Sequence, residues 1–211
     1  MAITRHPTPD EVRFLRAQLQ RFGVTGRELE TGLQTLEVRK HELLMEAGGD
    51  PDRSGIVVSG VVREYYLQPD GTEHTRGFAL PGESYGSLSD ALLSRPARVF
   101  VRAESEARVL LVRWSSIARL AKQSLEWERL QARLVERLYL RKSVREYELL
   151  ALDAMGRYQS LREQHPTLES LVPAQLIATY VGITNVHLSR LRRRLGTARA
   201  RRSVRKAAQK T

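Results

Sequence analysis

The sequence predicts an α+β protein with two domains, because helical and strand-like patterns occupy separate stretches of the chain. Up to about residue 38, apolar residues recur three and four apart, which is typical of helices. From about Glu37 to Val112 the period changes to two, and glycine or proline turns separate short runs rich in Val, Tyr and Phe. From about Ser115 to Leu152 the chain has neither proline nor glycine, which predicts a long helix.

The short strands predict a small barrel or jelly roll within an N-terminal domain, which we place at residues 1–114. The long helix, residues 115–152, carries apolar side chains on two stripes. Such a helix needs two neighbours, its own domain and the same helix of a second subunit. A helix packed only within its own chain is the alternative. One stripe comprises Leu130, Leu134, Leu138, Leu149 and Leu152, and the other comprises Trp127, Val135, Leu140, Val144 and Tyr147.

The net charge of +11 is concentrated at the C-terminus. From Arg190 to Thr211 there are ten Lys and Arg and no Asp or Glu, so the rest of the chain carries a net charge of only +1. A polybasic segment attracts a polyanion, since each phosphate that it neutralises releases condensed counterion. Nucleic acid is therefore the leading partner, and a solvated tail or one that binds anionic lipid is the alternative.

The segment from Ala174 to Leu191 has the pattern of a helix-turn-helix. Ala178 is small enough for two helices to cross closely, and Gly182 lies where the connecting turn requires a positive φ. We expect Thr184 to cap the second helix, and Asp153 to cap the first helix of a second domain at residues 153–211. The small core of this motif should contain Ile177, Val181, Ile183, Leu188 and Leu191.

The exposed face of the second helix is predicted to enter the major groove of DNA. Asparagine can bond to adenine and arginine to guanine, whereas valine can only contact a thymine methyl. The arginines that follow, and a glutamine at the start of the first helix, suit phosphate contacts. The candidate DNA-binding residues are Gln175, Thr184, Asn185, Val186, His187, Ser189, Arg190, Arg192, Arg193 and Arg194.

The order of strands, long helix and helix-turn-helix resembles the Crp/Fnr superfamily of bacterial regulators, typified by the catabolite activator protein. The resemblance extends over roughly Gly26 to Leu195. It includes Gly60 at the end of a strand, the turn QPDGTEHTRGFALPGESYG, the strand pair VRAESEARVLLV, and LDAMGRY at the hinge. It implies a cyclic-nucleotide-binding-like β-roll, a dimerisation helix and a C-terminal DNA-binding domain. The implied function is that of a homodimeric, sequence-specific transcription regulator that contacts double-stranded DNA and RNA polymerase.

The resemblance also implies an effector pocket, but this sequence departs from the family there. Family members that bind cyclic AMP hold its phosphate with an Arg-Ser pair and its ribose with a glutamate that follows the cassette glycine. If Gly86 is that glycine, the corresponding residues are Ala97-Arg98 and Ser87. We therefore expect a filled or repurposed pocket and no control by cyclic AMP. The pocket positions are Tyr85, Gly86, Ser87, Leu88, Arg98, Lys142 and Ser143, of which the last two replace an adenine-contacting Thr-Ser pair.

The DNA-binding half departs from the family as well. Val186 takes the place of a base-reading glutamate, whereas the Ser189-Arg190 pair is kept, so the target sequence should differ from the familiar half-site. Neither LREQHPTLESLVP nor GTARARRSVRKAAQKT alternates like a strand. We therefore expect a wingless helical bundle followed by a basic tail.

Other classes of function are disfavoured. The five histidines are scattered and no glycine-rich phosphate loop is present, so we expect neither an enzyme nor a metal site. Haem ligation by a histidine, known in some relatives, stays open. The absence of cysteine excludes disulfides and thiolate metal sites. No apolar run approaches the length of a membrane span, so we expect a cytoplasmic, nucleoid-associated protein without cofactor or membrane partner. The alternative function is a small-molecule sensor module that signals through protein, RNA or membrane contacts.

Overall fold

The computed structural model describes residues 2–30 and 32–195. The chain divides into two compact units, and the boundary lies between Glu146 and Tyr147. This boundary falls within the longest helix, so one continuous element belongs to both units. None of the helices in the described residues combines the length and the apolar character needed to cross a membrane.

Two antiparallel sheets form the framework of the first unit, in a jelly-roll-like arrangement. The five-stranded sheet has the order β1 (Ile3–Arg5), β2 (Gln34–Val38), β9 (Ala107–Leu111), β4 (Gly55–Ser59) and β7 (Ser84–Tyr85). The four-stranded sheet has the order β3 (Leu43–Met45), β8 (Phe100–Ala103), β5 (Val62–Leu67) and β6 (Glu73–Ala79). Most neighbours in these sheets are distant in sequence. The predicted β-rich domain is thereby confirmed.

The core of the roll follows from the alternation of side chains along its strands. Val57, Val62, Val101 and Val109 are completely buried, because each points into the space that the two sheets enclose. Branched side chains of this kind pack well on a pleated surface. The residues next to them in sequence, such as Ile56 and Leu110, point to the other face and join a second core.

That second core lies where helices pack on the outer face of the five-stranded sheet. Helix α1 (Pro9–Gln20) begins with a capping box, in which the backbone N–H of Glu11 donates to Thr8 Oγ1 and the Glu11 carboxylate accepts from the N–H of Thr8. The other helices of this unit are α2 (Arg27–Glu30), α3 (Leu88–Leu92), α4 (Trp114–Ala121) and α5 (Leu125–Ala151). Leu15, Trp114, Trp127 and Leu130 are buried together there.

The structure corrects two predicted helices. The helical prediction is confirmed for α1 but is wrong for Gln34–Val38, which is strand β2. Gly32 has a φ of 86°, which no helix tolerates, and the chain beyond it pairs with both β1 and β9. The long helix predicted from residue 115 is interrupted at residues 122–124. Trp127, predicted on the second stripe, is buried beside Leu130 in the core.

Over residues 147–195 the second unit consists of helices joined by short turns. After the end of α5 it contains α6 (Ala154–Gln164), α7 (Leu168–Leu171), α8 (Ala174–Val181) and α9 (residues 185–195). The predicted cap of α6 is confirmed, because Asp153 Oδ1 accepts from the N–H of Gly156 at 2.7 Å. The wingless prediction is confirmed for the segment between α6 and α8. The other segment for which no wing strand was predicted is the basic tail, which lies outside the described residues.

Candidate functional site

The turn between α8 and α9 has the geometry that the sequence predicts. Gly182 adopts a left-handed conformation with φ of 76°. Its N–H and that of Ile183 both donate to the carbonyl oxygen of Ala178, at 2.9 and 3.0 Å, which closes the end of α8. Thr184 then caps α9, because its Oγ1 accepts from the N–H of His187 at 3.2 Å. These bonds fix the direction in which α9 leaves the turn.

The inner face of α9 is held by apolar packing. Leu188 is completely buried and Leu191 nearly so. Ile177, Ala178 and Val181 are buried on the α8 side, as predicted, and Ile183 is half-buried. Since two buried leucines three residues apart fix one face of a helix, the residues on the opposite side of α9 face away from the core.

The outer face of α9 presents nearly all of the predicted DNA-binding side chains to solvent. Val186 is 63% exposed, which is unusual for a large apolar side chain. Gln175, at the start of α8, is exposed as well. A shallow concavity on this face is lined by Thr184, Val186, His187, Arg190, Leu191 and Arg194. The other exposed members of the predicted set are Asn185, Ser189 and Arg193.

Arg192 differs from its neighbours, because its guanidinium is bonded within the domain. Its Nη2 and Nε lie 2.8 and 3.1 Å from Glu169 Oε1, and its Nε lies 3.3 Å from the hydroxyl of Tyr158. The Tyr158 hydroxyl in turn donates to Glu169 Oε1. Burial, reinforced by that bond, raises the pKa of Tyr158 and keeps its hydroxyl protonated. Arg192 therefore ties α9 to α6 and α7, a role that sequence reasoning missed.

A second arginine that sequence reasoning missed supports the same turn. Arg157 Nε donates to the carbonyl oxygen of Val181 at 2.8 Å, and its Nη1 donates to that of Leu152 at 2.6 Å. These two carbonyls lie at the ends of α8 and α5, where backbone acceptors lack helical partners. Arg157 therefore satisfies two helix ends within the second unit. Its signal in the sequence is weak, since an arginine on a helix is usually a surface residue.

In the first unit, two of the predicted effector positions, Ser87 and Arg98, bind a buried carboxylate that the prediction did not include. Asp90 is buried, and its carboxylate accepts from the Ser87 hydroxyl at 2.6 Å, the Arg98 N–H at 3.0 Å, Arg98 Nε at 2.9 Å and Arg95 Nε at 2.8 Å. Burial alone would raise the pKa of Asp90, but these hydrogen bonds and the Arg98 charge hold it well below its usual range. The structure thus brings Ser87 and Arg98 together through Asp90.

Three further predicted effector positions are Gly86, Lys142 and Ser143. The Gly86 N–H donates to Glu64 Oε1 at 2.8 Å, and Gly86 has a φ of 134° that disfavours any side chain. Burial lowers the pKa of Lys142, and the positive charges of Arg76 and Arg98 lower it further. Lys142 is thus close enough to Arg76 and Arg98 to interact with their charges, although its side chain, like that of Ser143, is exposed on α5.

Two apolar positions complete the predicted set. Tyr85 is buried, and its hydroxyl has no hydrogen-bond partner among the described residues. Burial raises the pKa of this hydroxyl, so it remains a donor. Leu88 is the first residue of α3 and packs against the second core.

The residues at the effector positions differ from those that hold a cyclic nucleotide in the family. Ala97, at the place of the phosphate-binding arginine, is buried in the core of the roll. Arg98, at the next position, already pairs with Asp90. Ser87 offers a hydroxyl where a carboxylate would bind ribose, and that hydroxyl donates to Asp90. Phosphate and ribose would both have to displace bonds that the protein makes to itself.

Comparisons with known proteins identify the fold. Residues 35–124 match the family model described as cyclic nucleotide-binding domain. None of the curated proteins compared with this chain matches it.

Several solved structures are similar over most of the chain. FixK2 from Bradyrhizobium japonicum is 24% identical with a TM-score of 0.70, and the match covers 79% of this chain and 85% of FixK2. A protein of Eubacterium rectale, described as a transcriptional regulator of the Crp/Fnr family, is 18% identical with a TM-score of 0.65 and 82% coverage of both chains. The c-di-GMP responsive global regulator CLP of Xanthomonas campestris is 17% identical with a TM-score of 0.61, and 81% of this chain and 90% of CLP are covered. The chain thus contains a cyclic nucleotide-binding domain and has the fold of the Crp/Fnr transcription regulators.

Proposed function

We propose that the protein is a sequence-specific transcription regulator of the Crp/Fnr type, that it binds DNA as a homodimer, and that cyclic AMP does not control it. The observation that carries this proposal is the outer face of α9. It combines basic and hydrogen-bonding side chains with an exposed valine, on a helix whose start is fixed by Gly182 and Thr184. The transcription regulators among the similar folds support a role without catalysis.

On this proposal, the exposed residues of α9 divide into base readers and phosphate contacts. Asn185 and Arg190 have the donors and acceptors that distinguish base edges, and Val186 suits the methyl group of thymine. Arg193, Arg194 and Gln175 are exposed where phosphates would flank the groove. Arg192 acts as a positioning residue, because its ion pair with Glu169 keeps α9 in place.

The homodimer is supported by apolar side chains that α5 leaves exposed. Tyr139, Leu140, Val144 and Tyr147 are each at least half exposed, and they lie on one side of the helix. An exposed apolar stripe of this size usually marks an interface, since each large side chain buried contributes about 1.5–3 kcal/mol. We propose that α5 of a second copy covers this stripe. A dimer then presents two α9 helices to a two-fold symmetric DNA site.

Independence from cyclic AMP is supported by the Asp90 cluster. Asp90 places a negative charge among the donors of Ser87, Arg95 and Arg98, which a phosphate would otherwise need. A second anion there would meet electrostatic repulsion and lost hydrogen bonds at the same time. In the cell we propose that the regulator works in the cytoplasm at the nucleoid, with RNA polymerase as a further partner.

The test of this function is selection of DNA by the purified full-length protein. Fragments enriched from genomic DNA should bind about a thousandfold or more tighter than shuffled fragments of equal length at physiological salt. Added cyclic AMP should leave both affinities unchanged. Equal affinity for enriched and shuffled DNA would refute sequence-specific regulation.

A triple substitution separates the proposed function from the alternative of a sensor module. Arg190→Ala, Arg193→Ala and Arg194→Ala together should abolish both DNA selection and regulation in the cell. If regulation persists without DNA binding, the protein signals through another partner. The matched control is Arg129→Ala, which removes an exposed arginine from α5 in the first unit.

A further inference from the structure

The first unit contains a cavity outside the roll that the proposed function does not use. It has a volume of about 460 Å³ and lies between α1, α4, α5 and the outer face of the five-stranded sheet. Ligand sites in proteins typically have volumes of about 300–1,000 Å³. Tyr85, Gly86 and Leu88 lie on its border, but the polar cluster of Ser87, Asp90 and Arg98 does not contribute to its wall. The cavity therefore includes three of the predicted effector positions but not the hydrogen-bonded cluster around Asp90.

The wall of this cavity is predominantly apolar. It is formed by aliphatic and aromatic side chains from several elements, including Leu15, Phe22, Ile56, Trp114 and Leu134. A cavity lined in this way favours an apolar ligand, because it offers few groups to replace the hydrogen bonds of bound water. An acyl chain fits this wall better than a sugar or a nucleotide would.

Polar groups at the border indicate the charge of the ligand. Arg137 and Arg141 line the cavity one helical turn apart on α5. In the part of the chain that the structure describes, neither arginine forms an ion pair with a carboxylate, and the guanidinium of Arg137 lies 5.4 Å from the centre of the Phe22 ring. Glu83 is also part of the lining, but its carboxylate accepts from the N–H of Leu80 at 2.9 Å.

A further polar group is the hydroxyl of Tyr85, which is buried and has no partner among the described residues. Gly55 also lines the cavity, and a Cβ at Gly55 would lie 2.7 Å from that hydroxyl. The hydroxyl itself is enclosed by the protein, so it offers a ligand in the cavity no contact.

We infer that this cavity binds a single-chain amphiphile with an anionic head, of the class of a medium-chain fatty acid. The acyl chain lies against Leu15, Ile56 and Leu134, and the carboxylate faces Arg137 and Arg141.

Tryptophan fluorescence provides a direct test with the full-length protein. Trp114 lines the cavity and is one of only two tryptophans in the chain. Dodecanoate with a terminal bromine, kept below its micelle concentration, should quench the fluorescence saturably at one molecule per chain. Unlabelled dodecanoate should reverse the quenching, whereas dodecyltrimethylammonium, of equal chain length and opposite charge, should not. Absence of saturable quenching, or equal displacement by the cation, would overturn the inference.

Paired variants test the head group. Arg137→Gln together with Arg141→Gln should weaken binding by about tenfold or more, because charge-assisted hydrogen bonds are lost. Arg129→Gln, an exposed arginine on the same helix that does not line the cavity, should leave binding unchanged. Equal loss in both variants would contradict the assignment of the head. Arg190→Ala should bind the fatty acid normally, so a failure of the proposed DNA function would be seen separately.

Discussion

Replacement of Gly182 by alanine tests the turn on which the DNA-binding proposal depends. Gly182 has φ of 76°, and a Cβ built at this position would meet no heavy atom within 4 Å. The substitution therefore introduces no clash with the rest of the domain. Its cost arises only from the left-handed backbone that alanine must adopt.

That cost can be estimated from the geometry alone. A left-handed conformation costs an L-residue about 1–2 kcal/mol, and alanine recovers part of this through a less flexible unfolded chain. A net loss of about 1 kcal/mol should lower the melting temperature of a domain of this size by about 4–8 °C. Gly182→Asn should lose less, because asparagine tolerates the left-handed region.

The assay is calorimetric unfolding of the full-length variants, together with DNA affinity. Because a domain that has lost about 1 kcal/mol is still almost fully folded at about 25 °C, the affinity of Gly182→Ala for its DNA should be nearly that of the wild type. The matched control is Gly23→Ala, which has a similar φ of 81° and equally open surroundings but lies in the first unit. Unaltered melting of Gly182→Ala, or an equal effect of Gly23→Ala on the second unit, would refute the reasoning.

Three further predictions concern base reading, pH and assembly. If Arg190 reads a guanine, Arg190→Ala should lose about 1–3 kcal/mol of discrimination between matched and mismatched duplexes, measured by fluorescence anisotropy. Equal losses of affinity on both duplexes would instead assign Arg190 to a phosphate contact. Hydrogen bonds from Arg5 lower the pKa of Glu11 from 4.5 to about 2, so its stabilising contribution is complete above pH 4.5 and is lost as the pH falls towards 2. Melting curves of Glu11→Gln should depend less on pH in this range than those of the wild type, and identical dependence would contradict the assignment. Tyr139→Glu with Val144→Glu should convert the dimer to a monomer in sedimentation experiments, whereas Leu92→Glu, at an exposed leucine of α3, should leave it intact.

The outline of the fold could be predicted because its signals are local. The change of apolar period near Glu37, the turn at Gly182 and the cap at Asp153 each depend on neighbours a few residues away. The errors occur where contacts with distant parts of the chain determine the secondary structure. Leu33 and Leu36 fit a helix as well as they fit a strand, and only the ladders with β1 and β9 make Gln34–Val38 a strand.

The polar clusters were predicted least well, because their members come from separate elements. No local pattern in the sequence distinguishes Asp90 from the other acidic residues, yet it is buried and accepts hydrogen bonds from Ser87, Arg95 and Arg98. The hydrogen bond from Tyr158 to Glu169 joins α6 to α7 across a turn. No repeating pattern in the sequence of that turn predicts its path. A buried charge needs several partners to offset its desolvation, and three-dimensional proximity alone determines which partners are within reach.

The three successive arginines after Leu191 show what helical geometry adds to a charge pattern. At 100° per residue, Arg192 lies about 40° from the buried Leu188, whereas Arg193 and Arg194 lie about 140° and 120° from it on opposite sides. Arg192 therefore lies on the inner flank of α9, where a carboxylate on the facing element can pair with it. Glu169 supplies that carboxylate at 2.8 Å. A run of basic residues on a helix thus serves two purposes: the register of the buried leucines assigns one arginine to the domain and leaves the others on the face proposed to meet DNA.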